Sequence, residues 1–185
     1  VELLGLAAGG AGPDGHQAVE ADAGAVVGDM DEALAADAMA GLVDDPQQGV
    51  GLDDIRHNVG MELYCYLEHD DPGLISEYLE ASTERNLAIC HAIADPALSP
   101  AVLTYGDIAC KTGLMYSPSF LRRWLFPQLK EFVDILHRKG MWAVYHSDGN
   151  LLPVLDELVA CGIDGLNPVE ASTGLTIQEI RRRHP

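Results

Sequence analysis

The segment from Met141 to Glu170, MWAVYHSDGNLLPVLDELVACGIDGLNPVE, constrains the fold more than any other stretch of the chain. An apolar run, Met141 to Tyr145, ends at His146. A polar turn follows, Ser147-Asp148-Gly149-Asn150. An amphipathic run, Leu151 to Ala160, stops at Gly162, and a second apolar run, Ile163 to Leu166, ends at Asn167-Pro168-Val169-Glu170. This order spells strand, loop, helix, strand, loop, and side chains capable of chemistry fall just past each strand. In a (β/α) barrel that position is the carboxyl rim, where active sites are built.

The same rhythm extends upstream. Asp71 is a suitable helix cap and Pro72 a suitable first helical residue, because the missing N–H of proline costs nothing there. Leu74, Tyr78, Ala81, Arg85 and Ala88 recur at helical spacing, which predicts a helix from about Pro72 to Ala94, ending before Asp95-Pro96. Ala101–Tyr105 reads as a strand. The loop Gly106–Tyr116 is long for a βα connection. Ser117 caps a helix that Pro127 should break near Leu125. Leu129, Phe132, Val133 and Leu136 form the apolar face of the continuation, which Gly140 ends. Thr176 and Glu179 make a capping box for a last helix, Ile177–Arg183. Three βα units in succession predict a parallel sheet of strands Ala101–Tyr105, Met141–Tyr145 and Ile163–Asn167.

At 185 residues the chain can bury one core. It falls short of the ~250 residues typical of a closed eight-stranded barrel. The expected fold is therefore α/β, a partial and truncated (β/α)8 TIM barrel with an open sheet edge at Ile163–Asn167. Residues 61–185 carry this pattern. Residues 1–60 are rich in Ala, Gly and Asp, hold Arg56 as their one basic Arg or Lys residue, and show weak periodicity, although Met30–Val43 suits a helix. They are left unassigned, as a disordered or non-native segment.

Charge excludes some functions. With 29 acidic and 11 basic residues the formal net charge is −18. Nucleic-acid binding needs a basic patch, so it is not expected. Neither a transmembrane run nor a secretory signal is visible, and Cys65, Cys90, Cys110 and Cys161 lack CxxC spacing. Reduced thiols in a cytoplasmic protein are the expectation, with Cys90 and Cys161 buried in helices.

The rim supplies the candidate site. His146 suits a metal ligand or a proton donor, since neutral imidazole does both near pH 7. The plainer reading is a histidine that orders its loop. Asp107 follows the first strand and could orient a substrate N–H or a metal-bound water. Asp148 lies in the central turn, where Gly149 supplies the tolerance for positive φ and Asn150 a cap. Asp107, His146 and Asp148 are the catalytic candidates. Lys111, Tyr116, Asn167 and Glu170 are the candidates for holding substrate. Each also has a structural role open to it, as solvated lysine, packed aromatic, or turn residue. Asp107, Asp148 and Glu170 on one rim would repel one another unless a cation or a cationic substrate group neutralises them.

The His-x-Asp-Gly-Asn turn, its helix and the Gly-Leu-Asn-Pro-x-Glu end, with Gly106-Asp107-Ile108 through Gly113 and Ser117-Pro118 through Pro127, resemble the uroporphyrinogen decarboxylase superfamily over about residues 61–185. That resemblance implies one barrel and two chemistries: cofactor-free decarboxylation of uroporphyrinogen in porphyrin biosynthesis, or zinc-dependent methyl transfer involving cobalamin-type corrinoids or thiols. In the methyltransferase branch His146 matches the histidine of a His-x-Cys zinc motif, with Asp148 standing where that motif has cysteine. Zinc on His146 and Asp148, and a corrinoid or corrinoid protein as partner, are then implied. The decarboxylase branch uses an Arg-rich N-terminal segment that this chain lacks. The reading leans to corrinoid-linked methyl transfer, with decarboxylation second. An inactive truncated barrel that only associates with a partner, or with its own copies, comes third.

Overall fold

In the computed structural model, residues 5–6, 23–26 and 52–184 are described. Two short strands come first, β1 (Gly5–Leu6) and β2 (Ala23–Val26). Three helices follow: α1 (Leu52–Val59), α2 (Met61–Asp70) and α3 (Pro72–Ile93). Strand β3 (Ala101–Tyr105) leads into a small hairpin, β4 (Ala109–Cys110) and β5 (Gly113–Leu114). Helices α4 (Pro118–Trp124) and α5 (Phe126–Arg138) precede β6 (Trp142–His146). A 3-10 turn (Leu152–Val154), α6 (Leu155–Ala160), β7 (Gly165–Asn167), a second 3-10 turn (Ala171–Thr173) and α7 (Ile177–Arg183) complete the order.

The fold is mixed α/β around a sheet ordered β1-β2-β7-β6-β3. The three strands expected to be parallel are so: Tyr105 stands opposite His146, and His146 opposite Asn167. No closed barrel is formed among the described residues. The expectation of an open edge at Ile163–Asn167 is corrected. Strand β2 lies antiparallel on β7, with Ala25 opposite Leu166 and Val26 opposite Gly165. A strand edge offers unpaired N–H and C=O groups that any extended segment can satisfy. Strand β2 is only Ala-Gly-Ala-Val, too short to leave a period in the sequence. The helix suggested for Met30–Val43 lies outside the described residues.

Local chemistry sets the helix ends. Asp71 accepts a hydrogen bond from Leu74 N–H at 3.1 Å, and Ser117 accepts from Phe120 N–H at 3.1 Å. The break before Pro127 falls where expected, between Trp124 and Phe126. Helix α5 buries Leu129, Phe132, Val133 and Leu136, the face read from the sequence. Helix α3 forms over the predicted span. Leu74 is exposed, and the buried line is Ile75, Leu79, Ser82, Asn86 and Cys90. Ser82, Asn86 and Cys90 line this seam beside Ile75 and Leu79. Lys139 locks the seam by donating to the carbonyl oxygens of His91 (2.7 Å) and Ala94 (2.6 Å) at the end of α3. In α1, Leu52 and Ile55 are buried in the same core.

Burial raises the Cys90 and Cys161 thiols to about 11, which keeps them protonated. Cys65 and Cys110 are exposed, and all four thiols are free.

Candidate functional site

The site forms where β3, β6 and β7 end together. Parallel pairing holds Tyr105, His146 and Asn167 side by side, so the loops after them open in one direction. Gly106 N–H donates to His146 O at 3.1 Å and Ser147 N–H to Asn167 O at 3.1 Å, which carries the ladder one step into the loops. Buried Ser147 ties two loops together. Its Oγ accepts from Ile108 N–H (3.1 Å) and donates to Asp148 O (3.0 Å).

The turn Asp148-Gly149-Asn150 is fixed from both sides. Asp148 N–H donates to Asp107 Oδ1 at 2.9 Å, and Gly149 N–H to Glu170 Oε2 at 2.6 Å. Gly149 has φ +91°, and a Cβ there would lie 2.7 Å from backbone atoms of Ala109 and Cys110. Only glycine lets the turn nest against the hairpin, where Asn150 N–H reaches Cys110 O at 3.0 Å. Asn150 Oδ1 accepts from Leu152 N–H at 3.1 Å, a bond two residues on that leads into the 3-10 turn in place of the expected helix cap.

Asp107, His146 and Asp148 each turn one ligand atom toward a common space, and these atoms lie within 4.8 Å of one another. His146 Nε2 stands 3.9 Å from Asp107 Oδ1, while its Nδ1 is 3.0 Å from Asn167 Oδ1. The Tyr105 ring lies against the imidazole, with centroids 4.9 Å apart. The Asp148 carboxyl is held above the ordinary carboxylate range, first by partial burial and then by the charge of Asp107; Glu170 adds to this and His146 opposes it.

Of the residues read from the sequence, Asp107, His146, Asp148, Asn167 and Glu170 meet at one end of the sheet. Asn167 bonds His146, and Glu170 bonds the backbone of the turn. Lys111 is exposed at the tip of the β4–β5 hairpin. Tyr116 is buried in an aromatic cluster, stacked on Phe120 at 5.4 Å and edge-on to Tyr64 at 6.0 Å. Two participants escaped the sequence reading. Ser147 looked like turn filler. Arg56 places its guanidinium 4.0 Å from Asp107 Oδ2, and its one signal was its isolation as the only Arg or Lys in residues 1–60.

Comparison with known proteins adds little to this geometry. No protein-family model matches the chain, and no curated protein matches it. Among solved structures, a methyltransferase from Methanosarcina mazei superposes with a TM-score of 0.45 at 21% identity, covering 56% of this chain. The chain spans 29% of that protein's length. A likeness at this level assigns neither family nor activity.

Proposed function

We propose that the chain is part of a (β/α)8 enzyme of the uroporphyrinogen decarboxylase superfamily whose rim holds a divalent cation for methyl transfer. One observation carries this reading: the ligand atoms of Asp107, His146 and Asp148 converge at the carboxyl ends of β3 and β6. The donor set fits. One imidazole nitrogen and two carboxylates suit zinc and neighbouring divalent metals. Ligands of a tetrahedral zinc with bonds of about 2.0–2.1 Å stand roughly 3.3 Å apart, and the three ligand atoms here lie within 4.8 Å of one another. A cation would also neutralise the clustered acids.

Such a cation, when bound, would act as a Lewis acid toward a substrate sulfur or oxygen. The chain's own residues prepare the place. Asp107 and Glu170 hold the Asp148-Gly149 backbone, the Tyr105 ring lies against His146, and Arg56 lies beside the cluster. The transfer we favour takes a methyl group from a corrinoid to a thiol. In that transfer the corrinoid would supply the methyl group and keep the electron pair of the broken cobalt–carbon bond, while the thiolate sulfur would take the methyl group and the thiol proton would be released. A corrinoid, free or carried on a protein, is then the partner. Arg56 favours a second reading, decarboxylation of a porphyrinogen, because a guanidinium suits a carboxylate substrate. One such residue among so many acids makes that reading the weaker one.

Zinc titration tests the centre. Zinc should raise the melting temperature, because a ligand that binds only the folded state stabilises it. The rise should disappear in His146→Ala and shrink in Asp107→Ala and Asp148→Ala, while Asp148→Cys should tighten binding. Absence of zinc binding by both the parent chain and Asp148→Cys would end the metal reading. Turnover of methylcobalamin with a thiol, against turnover of uroporphyrinogen, separates the two activities.

A further inference from the structure

We infer that Asn167 is a positioning residue that fixes His146 as the Nδ1–H tautomer, so that Nε2 turns a bare lone pair toward Asp107 and Asp148. This rests on the metal-binding reading of the rim and deepens it.

A neutral imidazole has one N–H and one lone pair. Nδ1 lies 3.0 Å from Asn167 Oδ1, and an amide oxygen only accepts, so Nδ1 carries the hydrogen. The spacing at the other nitrogen agrees. Elsewhere in this protein, histidine Nε2 approaches a carboxylate closely, at 2.8 Å for His137 with Asp164 and 3.0 Å for His184 with Asp156. His146 Nε2 stays 3.9 Å from Asp107 Oδ1. Two acceptors facing each other keep such a distance, and they also present a pair of donors to a cation. Asn167 is well placed for this work. Parallel register sets it beside His146, and its backbone carbonyl oxygen accepts from Ser147 N–H. Metal-binding histidines usually donate their second N–H to such a partner, and removing the partner typically costs 10–100-fold in affinity. Asn167 therefore acts through His146 rather than on substrate.

The test uses the full chain, metal-free and 15N-labelled, at pH 8. Long-range proton–nitrogen correlations report which ring nitrogen of His146 carries hydrogen, with His146→Gln identifying the signals. The parent should show a protonated Nδ1 and an unprotonated Nε2. Asn167→Asp, which keeps the acceptor, should retain this pattern. Asn167→Leu should lose it and bind zinc at least about tenfold more weakly than the parent. An Nε2–H tautomer in the parent overturns the inference, and that measurement needs no Asn167 variant to fold. An unchanged tautomer in Asn167→Leu overturns it too. If the parent shows the Nδ1–H form yet binds no zinc, the role of Asn167 stands and the metal reading falls, so the two failures are distinct.

Discussion

Gly149 shows how much of the rim depends on a single missing side chain. Its φ of +91° and the 2.7 Å approach to the backbone of Ala109 and Cys110 act together. For a residue with a Cβ, such a conformation costs about 1–3 kcal/mol by itself. The overlap comes on top, because the opposing atoms are backbone and cannot rotate away. Gly149→Ala should therefore unfold at least about 1–3 kcal/mol more easily. It should also bind zinc more weakly, since the turn carries Asp148. Denaturant unfolding of the two proteins side by side decides this. Equal midpoints would mean that the hairpin yields easily and that the turn is not held by it.

At the scale of elements, the last helix illustrates a motif that formed halfway. Thr176 accepts from Glu179 N–H at 3.2 Å, as a capping box requires. The Glu179 carboxylate is taken instead by Arg182 and Arg183, at 2.7 and 2.9 Å. Two guanidiniums one turn further on outcompete a single backbone N–H for the charge. Their hydrogen bonds lower the Glu179 carboxyl from 4.5 to about 2. The sign follows from linkage: a depressed folded-state pKa stabilises above the unfolded value, and that support is lost as pH falls. The melting temperature of the parent should exceed that of Glu179→Gln at pH 7. The gap should close between about pH 4.5 and pH 2. Since the group is exposed, the gap should be small. A gap of the same size at pH 7 and pH 2.5 would contradict the assignment.

Across the whole molecule, one force not visible in any single contact is charge. A net charge of −18 on 185 residues makes the compact state repel itself. Raising ionic strength from 0.01 M to 0.15 M shortens the screening length from about 30 Å to about 8 Å. The melting temperature should rise over that range. A fall would show that attractive ion pairs, such as Arg122 with Glu157, outweigh the general repulsion. The rim concentrates the same imbalance, since Asp107, Asp148 and Glu170 face one another with His146 and Arg56 as the nearby basic groups.

The sequence by itself determined the parallel strands and the clustering of Asp107, His146 and Glu170 at one end of them. It also determined the caps at Asp71 and Ser117 and the buried face of α5. Each of these follows from a local signal: an apolar run, a helical period, or a capping residue next to the backbone it caps. Tertiary structure decided what depends on distant partners. Strand β2 came to lie on β7 because an open edge accepts any extended segment, and no period in Ala-Gly-Ala-Val announces that. Arg56 reached Asp107 across 51 positions of sequence because α1 packs into the core. Helix α3 turned Ser82 and Asn86 inward beside Ile75, Leu79 and Cys90, two polar positions that no hydropathic period announces. Asn167 and Glu170, read as substrate contacts, hydrogen-bond His146 and the Gly149 backbone at the rim. That outcome was set by the register of β6 on β7, which no residue in either strand specifies alone.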